Sequence, residues 1–431
     1  MSKKSKRSKK QADGSSSRRN PSGTNSQRSS QSDSRSGRSR SKGGSGSKNR
    51  LEDFSFYHGF VLPTELGQLL TTDGDWLVRN KTCDTTQQPM ISAFWKGKII
   101  ELELSQDDKG WKAPNNKHFM YAVDLVRWLS KSNAPITSDG AVMRRPIQKK
   151  GWKLKSENVM TEKKIGSGAF GEVWQGKLKY KGVDLPVAIK VANENVTEQV
   201  KMELIEEAQR MLSFNHKNVV RFIGLVTDAP PLKLVMENCA GGSLKKYLIN
   251  NANNISAQSK VEFCQDICRG MQYLATTHSC IHRDLAARNC LIGAKGEVKV
   301  SDFGLSKVGV GQVSRCQKEK LPVKWLAPES MSSRAGFVFS TKSDVWSFGV
   351  TIWEVWHDGA EPWTGLVNPQ VRKAIKAGQR LKCAPIVPAQ FTELMMDCWK
   401  SLPTQRPTFT ELMQRLEAFS QPLAEDSTQR D

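Results

Sequence analysis

The chain has 431 residues, 38% hydrophobic and 25% charged, with a formal net charge of +22. That length predicts two or more folded units, with enough apolar material for sizeable cores. Residues 1–50 hold 15 basic side chains against only Asp13 and Asp33, so the charge belongs mainly to a tail and a uniformly basic nucleic-acid binder is disfavoured.

Nine cysteines (83, 239, 264, 268, 280, 290, 316, 383, 398) are odd in number and form no C-x-x-C, which rules out paired-cysteine zinc sites and argues against a disulfide framework. Free thiols point to a reducing compartment. No 18-residue apolar run and no signal-peptide core occur, and neither Ser2 nor the terminal Gln429-Arg430-Asp431 signals lipidation. A cytoplasmic protein is expected.

Residues 1–50 contain 17 serines and no Val, Leu, Ile or aromatic residue, so they cannot offset their ordering entropy and should be disordered. The run Lys3-Lys4-Ser5-Lys6-Arg7-Ser8-Lys9-Lys10 is read as a solvated tail. Attraction to an anionic membrane surface, placing the protein at the inner face of the plasma membrane, is one alternative, and a nuclear or nucleic-acid address is the other. No aromatics interleave with these cations, so no specific nucleic acid is expected.

Order is expected from Leu51. Thr64 to Leu70 has helical spacing, Asp73-Gly74-Asp75 reads as a turn, and Trp76 to Val78, Met90 to Trp95 and Ile99 to Leu104 read as strands. Tyr121 to Leu129 is helical through Val123, Val126 and Leu129. Residues 55–147 thus predict a small α+β domain. The lysine-rich stretch 145–157 reads as a polar linker, with 148–157 as its core. From Asn158 to Ala418 the chain opens with strands around Gly-rich turns and becomes helical beyond residue 200. Strands are expected at 218–224 and 232–236, and helices at 256–276, 340–357 and 391–400. Residues 419–431 form a C-terminal tail.

The chemistry concentrates in this second unit. Gly166-Ser167-Gly168-Ala169-Phe170-Gly171 follows a strand start at Ile165, and Val173 continues into a strand. Glycines so spaced let backbone N–H groups approach phosphate oxygens, and the strand that follows argues against a dinucleotide fold. Val187-Ala188-Ile189-Lys190 places a lysine on an apolar strand; the plain alternative is an edge lysine reaching solvent. Glu207, at helical spacing between Leu204 and Met211, flanks a buried stripe and needs a cation nearby. Then come His282-Arg283-Asp284-Leu285-Ala286-Ala287-Arg288-Asn289, Asp302-Phe303-Gly304 and Ala327-Pro328-Glu329, with Arg406 available to Glu329. These groups can divide the labour of phosphoryl transfer. Asp284 accepts the substrate hydroxyl proton, Asn289 holds a metal, and Asp302 bridges metal and phosphates.

In this order the motifs make residues 158–418 resemble the eukaryotic protein kinase domain. That resemblance implies a bilobal fold, with a β-rich upper lobe and a helical lower lobe. It also implies ATP with Mg²⁺ (Mn²⁺ as an alternative) as cofactors, and an ATP site of Ile165, Gly166, Ser167, Gly168, Ala169, Phe170, Gly171, Val173, Ala188, Lys190, Met236, Glu237 and Cys239. Met236 matches the family's gatekeeper position. Lys190 pairs with Glu207, Asn289 and Asp302 hold the metal, and Asp284 and Arg288 serve catalysis. Tyrosine specificity is implied by Ala286 with Arg288, where serine/threonine kinases place a lysine at the former position. The platform Pro322-Val323-Lys324-Trp325 supports the same reading.

Phe56-Tyr57-His58-Gly59, Gly74-Asp75-Trp76-Leu77-Val78-Arg79 and Trp95-Lys96-Gly97 make residues 56–147 similar to an SH2 domain, a central antiparallel sheet flanked by two helices. The resemblance implies that Arg79, with Lys81, binds phosphotyrosine of partner proteins; the alternative is a structural arginine paired with an acid. Pro63 stands at the place of the family's second phosphate-contacting arginine, Asn80 and Lys81 replace the usual Glu and Ser, and Glu101 falls near the customary His. SH2 directly before kinase is similar to the Fes/Fer group of cytoplasmic tyrosine kinases, without extending to that group's larger N-terminal membrane-binding region. The reading is a tyrosine kinase guided by its SH2 domain. A catalytically weak, kinase-like adaptor is the alternative. The five tyrosines (57, 121, 180, 247, 273) leave none between Asp302 and Glu329. Activation is therefore expected without an activation-segment phosphotyrosine, with Ser314 at that tyrosine's place.

Overall fold

The computed structural model describes residues 49–82, 88–168, 171–193, 197–309, 312–314, 321–331 and 338–419. The expected tail 1–50 falls almost wholly, and 420–431 entirely, outside them.

The N-terminal region runs β1 (Tyr57–Phe60), α1 (Pro63–Leu69), β2 (Asp75–Asn80), β3 (Pro89–Trp95), β4 (Lys98–Glu103), a small sheet of β5 (Ser105–Asp107), β6 (Gly110–Lys112) and β7 (His118–Phe119), then α2 (Ala122–Ser132) and β8 (Arg145–Pro146). The main sheet has the order β1-β2-β3-β4, with β8 also paired to β2. Every residue of β2 is buried because the strand is covered on both faces. Leu77 packs with Leu66 and Leu70 on the α1 side. Trp76 and Val78 pack with Val123, Val126 and Leu129 on the α2 side. Asp75, read as a turn residue, opens β2 instead; its carboxylate accepts Thr71 N, Thr72 N and a two-pronged pair from Arg145.

A six-stranded sheet of order β10-β11-β12-β14-β13-β9 follows, made by β9 (Lys153–Leu154), β10 (Val159–Gly168), β11 (Gly171–Tyr180), β12 (Val183–Ala192), β13 (Phe222–Val226) and β14 (Lys233–Glu237). Helix α3 (Glu198–Met211) lies between β12 and β13 in sequence. Below it stand β15 (Gly242–Ser243), α4 (Leu244–Asn250), α5 (Ala257–Thr277), β16 (Cys290–Ile292), β17 (Val298–Val300), β18 (Gln312–Ser314), β19 (Val338–Ser340), α6 (Thr341–Trp356), α7 (Asn368–Lys376), α8 (Ala389–Cys398) and α9 (Phe409–Ala418). Helix α6 is apolar nearly all round and buried throughout its last 14 residues, the signature of a core helix.

The stretch read as a polar linker is not one. Lys153 and Leu154 form β9, which pairs parallel to β13 and is the outermost strand of the sheet. The Lys153 ammonium is buried and lies 3.0 Å from Glu65 of α1, itself buried. Burial, outweighing the pull of Glu65, holds the Lys153 pKa below the ordinary lysine value. Lys155 pairs with Asp53 at 2.9 Å, and Lys149 N donates to Ser55 O. The two regions also meet at β1. Phe60 N donates to Thr227 O at 3.0 Å, and Thr227 Oγ1 donates to His58 O at 3.0 Å. Gly59 between them has φ +63, and a Cβ there would lie 2.2 Å from Thr227 O, so the approach requires glycine. Phe60 and Leu62 join the same continuous core as Leu225 and Leu232.

Removing one partner of a buried ion pair strands the other. Lys153→Met is expected to cost about 3–5 kcal/mol in urea unfolding, on the scale for such pairs, and Lys153→Met with Glu65→Leu to recover most of it. A loss below about 1 kcal/mol, the range of exposed pairs, would show that the pair is solvated.

Candidate active site

The β10–β11 hairpin sets Gly166 opposite Val173, Ser167 opposite Glu172 and Gly168 opposite Gly171. Ala169 and Phe170, at its tip, lie outside the described residues. Gly171 has φ +149, and a Cβ there would fall 2.0 Å from Val191 O. Val173 is in register with Lys190, and Ala188 with Met236. By the two-residue period of a strand, Val173, Ala188, Lys190 and Met236 share one face of the sheet. Ile165, beside them on β10, is exposed. The Glu237 carboxylate accepts Arg221 N at 2.7 Å and pairs with Lys299. Burial pushes the Cys239 thiol up to about 12, leaving it neutral.

Lys190 is the centre of the arrangement. Its Nζ lies 2.7 Å from Glu207 Oε2 on α3 and 3.6 Å from Asp302 Oδ1. Burial opposes the ammonium charge, but the two carboxylates prevail and raise its pKa. Desolvation within the crowded site works against the Asp302 charge even though its side chain keeps a solvent-facing edge, yet Lys190 holds that carboxyl below the usual range. The neighbouring Phe303 is fully buried between Phe214 and His282, with ring centroids 5.0 and 5.3 Å away. Arg210, one helical turn beyond Glu207, donates to the carbonyls of Phe303 and Gly304.

The loop carrying Asp284 hangs from helix α6. Asp344 accepts the N–H groups of His282 (2.7 Å) and Arg283 (3.0 Å), and Glu354 accepts Ala287 N and Trp325 Nε1, both at 2.9 Å. Burial pushes both carboxyls up to about 6. Arg283 and Asp302 sit at φ +71 and +62, unfavourable for residues with a Cβ, and the Asp344 carboxylate holds the Arg283 N–H in place. Asn289 Nδ2 donates to Asp284 O at 2.7 Å, and Arg288 donates to the Asp284 carboxylate. Burial raises Asp284 to about 6, against the pull of Arg288. Arg288 also lies 4.4 Å above the Trp325 ring, tying the loop to Pro322-Val323-Lys324-Trp325.

Glu329 and Arg406 form a bidentate pair at 2.7 and 2.8 Å, the pairing expected from the sequence. Strand β18 pairs with β19, setting the Ser314 backbone opposite Val338. Arg283 Nη1 donates to Leu305 O, and its guanidinium lies 4.5 Å above Phe339. Asp344, Glu354 and Arg210 were not singled out from the sequence. The available signal was two carboxylates inside an apolar helix, which must find buried donors.

The second set of candidates lies on β2. Arg79 is buried and donates from Nε to Ser92 Oγ (3.0 Å), from Nη1 to Asn80 O (3.1 Å) and from Nη2 to Glu101. Lys81 pairs with Glu103. Each cation thus already has a carboxylate.

Residues 159–416 match the family model for the protein tyrosine and serine/threonine kinase. The chain is 35% identical over 368 residues to the tyrosine-protein kinase transforming protein Fps of avian sarcoma virus (strain PRCII), covering 85% of this chain and 67% of that protein. It is 33% identical over 373 residues to tyrosine-protein kinase Fer of Homo sapiens, covering 86% of this chain and 44% of Fer. With Fer-related kinase 1 of Caenorhabditis elegans the figures are 33% over 375 residues, 84% and 93%. The chain thus spans less than half the length of human Fer. Among the described residues no helix is long and apolar enough to cross a membrane. Kinases of this family use ATP and a divalent metal. The site just described, met in a chain so matched, has one reading: the protein belongs to the protein tyrosine and serine/threonine kinase family and, alongside the Fps and Fer enzymes, to its tyrosine kinases.

Proposed function

We propose that this kinase transfers the γ-phosphoryl group of Mg·ATP to protein tyrosines through Lys190, Asp284, Arg288, Asn289 and Asp302, under the guidance of an SH2 domain over residues 55–147. The observation that carries the catalytic reading is the Lys190 ammonium, 2.7 Å from Glu207 and 3.6 Å from Asp302. Glu207 fixes the ammonium where it can bind the α- and β-phosphates. The donor set suits Mg²⁺, with Mn²⁺ as the alternative. Asp302 offers a half-exposed carboxylate. Asn289, its amide nitrogen committed to Asp284 O, offers its oxygen. Two hard oxygen donors, completed by water and phosphate, are what Mg²⁺ takes in such sites. When bound, the metal neutralises charge on the phosphates.

Asp284 receives the tyrosine hydroxyl proton, and Arg288 orients its carboxylate. Because Arg288 also stacks on Trp325, the base and the peptide platform are positioned together, as in-line transfer to a long phenolic side chain requires. Residues 55–147 serve as the phosphotyrosine-binding unit through Arg79 and Lys81, with phosphotyrosine-containing proteins as partners. The basic segment 1–50 suits an anionic membrane surface, and the enzyme acts in the cytoplasm and at the inner leaflet.

Purified chain with Mg·ATP and a Glu/Tyr copolymer is expected to incorporate phosphate, and Asp302→Asn is not; equal background from both overturns the assignment. Asp284→Asn should lower kcat by about 10²-fold or more, the scale for removing a general base, with ATP affinity retained. Treatment with a tyrosine phosphatase should leave the rate unchanged, since no tyrosine lies between Asp302 and Glu329. A large drop would mean that a tyrosine elsewhere controls activity.

A further inference from the structure

The face of the N-terminal sheet that meets α1 carries an unusual charge arrangement. Arg79 is in register with Met90, and Met90 with Glu103; Leu77 is in register with Ser92, and Ser92 with Glu101. By the pleat, all six side chains rise on the same face, the one on which Leu77 packs against α1. Arg79 is 10% exposed at the foot of this face. Its guanidinium is aimed at Glu101, whose carboxylate is 43% exposed at the rim. Lys81 and Glu103 repeat the pair two residues along each strand, at 51% and 46% exposure. A buried arginine held by a solvent-facing carboxylate differs from a structural ion pair sealed in a core. The acid can swing out into water at modest cost, and the arginine cannot.

We infer that Glu101 is a built-in competitor for Arg79: it occupies the anion position of the proposed phosphotyrosine site and gates it. This rests on the reading of residues 55–147 as the phosphotyrosine-binding unit. An intramolecular carboxylate has an effective concentration in the millimolar range or above, so a carboxylate on another protein, carrying the same single charge, does not displace it. A phosphotyrosine, with close to two negative charges and three acceptor oxygens, does. The gate therefore sets a threshold of charge: aspartate- and glutamate-rich peptides are rejected, and phosphotyrosine is accepted with affinity reduced by the fraction of sites in which the pair is closed. With Pro63 at the start of α1, that helix brings no cation at this position to offset the competition.

The test uses the full chain, without ATP, over immobilised degenerate peptide libraries centred on phosphotyrosine or on unmodified tyrosine. Glu101→Gln and Glu101→Ala are both expected to bind the phosphorylated library about tenfold more tightly than wild type, the effect of opening a site closed nine-tenths of the time. Arg79→Leu, alone or with Glu101→Gln, is expected to bind neither library. Glu101 is solvent-facing, so either replacement is compatible with folding. The Glu101 variants should melt at a lower temperature than wild type and regain that loss with O-phospho-L-tyrosine, because Arg79 then recovers an anionic partner. Arg79-dependent binding of equal strength in wild type and both Glu101 variants overturns the gate and leaves the phosphotyrosine reading standing. No Arg79-dependent preference for the phosphorylated library in any variant overturns the phosphotyrosine reading, and the gate with it.

Discussion

The contact between Lys190 and Glu207 organises the upper part of the kinase. A lysine on an apolar strand and a glutamate on the inner face of a helix are each costly to bury, and neither position is tolerable without the other. Their pairing fixes helix α3 against the sheet, and the consequences spread from there. With α3 in place, Arg210 reaches the carbonyls of Phe303 and Gly304, which holds Phe303 between Phe214 and His282 and brings Asp302 beside Lys190. A shift of α3 would break these contacts together, so Lys190 and Asp302 are coupled through one ion pair.

A second set of buried charges supports the lower half. Asp344 and Glu354 project from a helix that is otherwise core and hold backbone N–H groups of the loop bearing Asp284 and Asn289. Backbone N–H groups buried without acceptors would be expensive, and two carboxylates satisfy three of them. The positive φ at Arg283 is sustained by this scaffold, an instance of local strain over-determined by its surroundings.

The candidate site's residues were legible in the sequence because they sit in short motifs whose order is informative even when the distances between them are not. Strand and helix positions were legible for the same local reason, the period of apolar residues; Ala257–Thr277 and Pro89–Trp95 lie within a residue of their expected bounds. What escaped were charges whose remote partner no motif marks. Lys153, in a run of lysines, has the pattern of a solvated linker, and only the fold brings Glu65 to it. Asp344 and Glu354 lie within an apolar helical pattern, and their backbone donors come from loops remote in the chain. Arg79 was placed correctly on a buried strand, but its engagement with Glu101 depends on strand register, which hydrophobic pattern constrains only to the correct face.

Strand β9 has a consequence for the modular view of such chains. It is the outermost strand of the sheet above the active site, and it is supplied by the segment that would ordinarily be counted as the connection between two units. A catalytic fragment beginning at residue 158 would keep every motif residue yet leave β13 with an open edge of unpaired N–H and C=O groups, beside the apolar surface that Phe60 and Leu62 now cover. Open edges of that kind recruit other strands and promote self-association. The sheet's edge is therefore completed by residues ahead of position 158, and the upstream segment caps it.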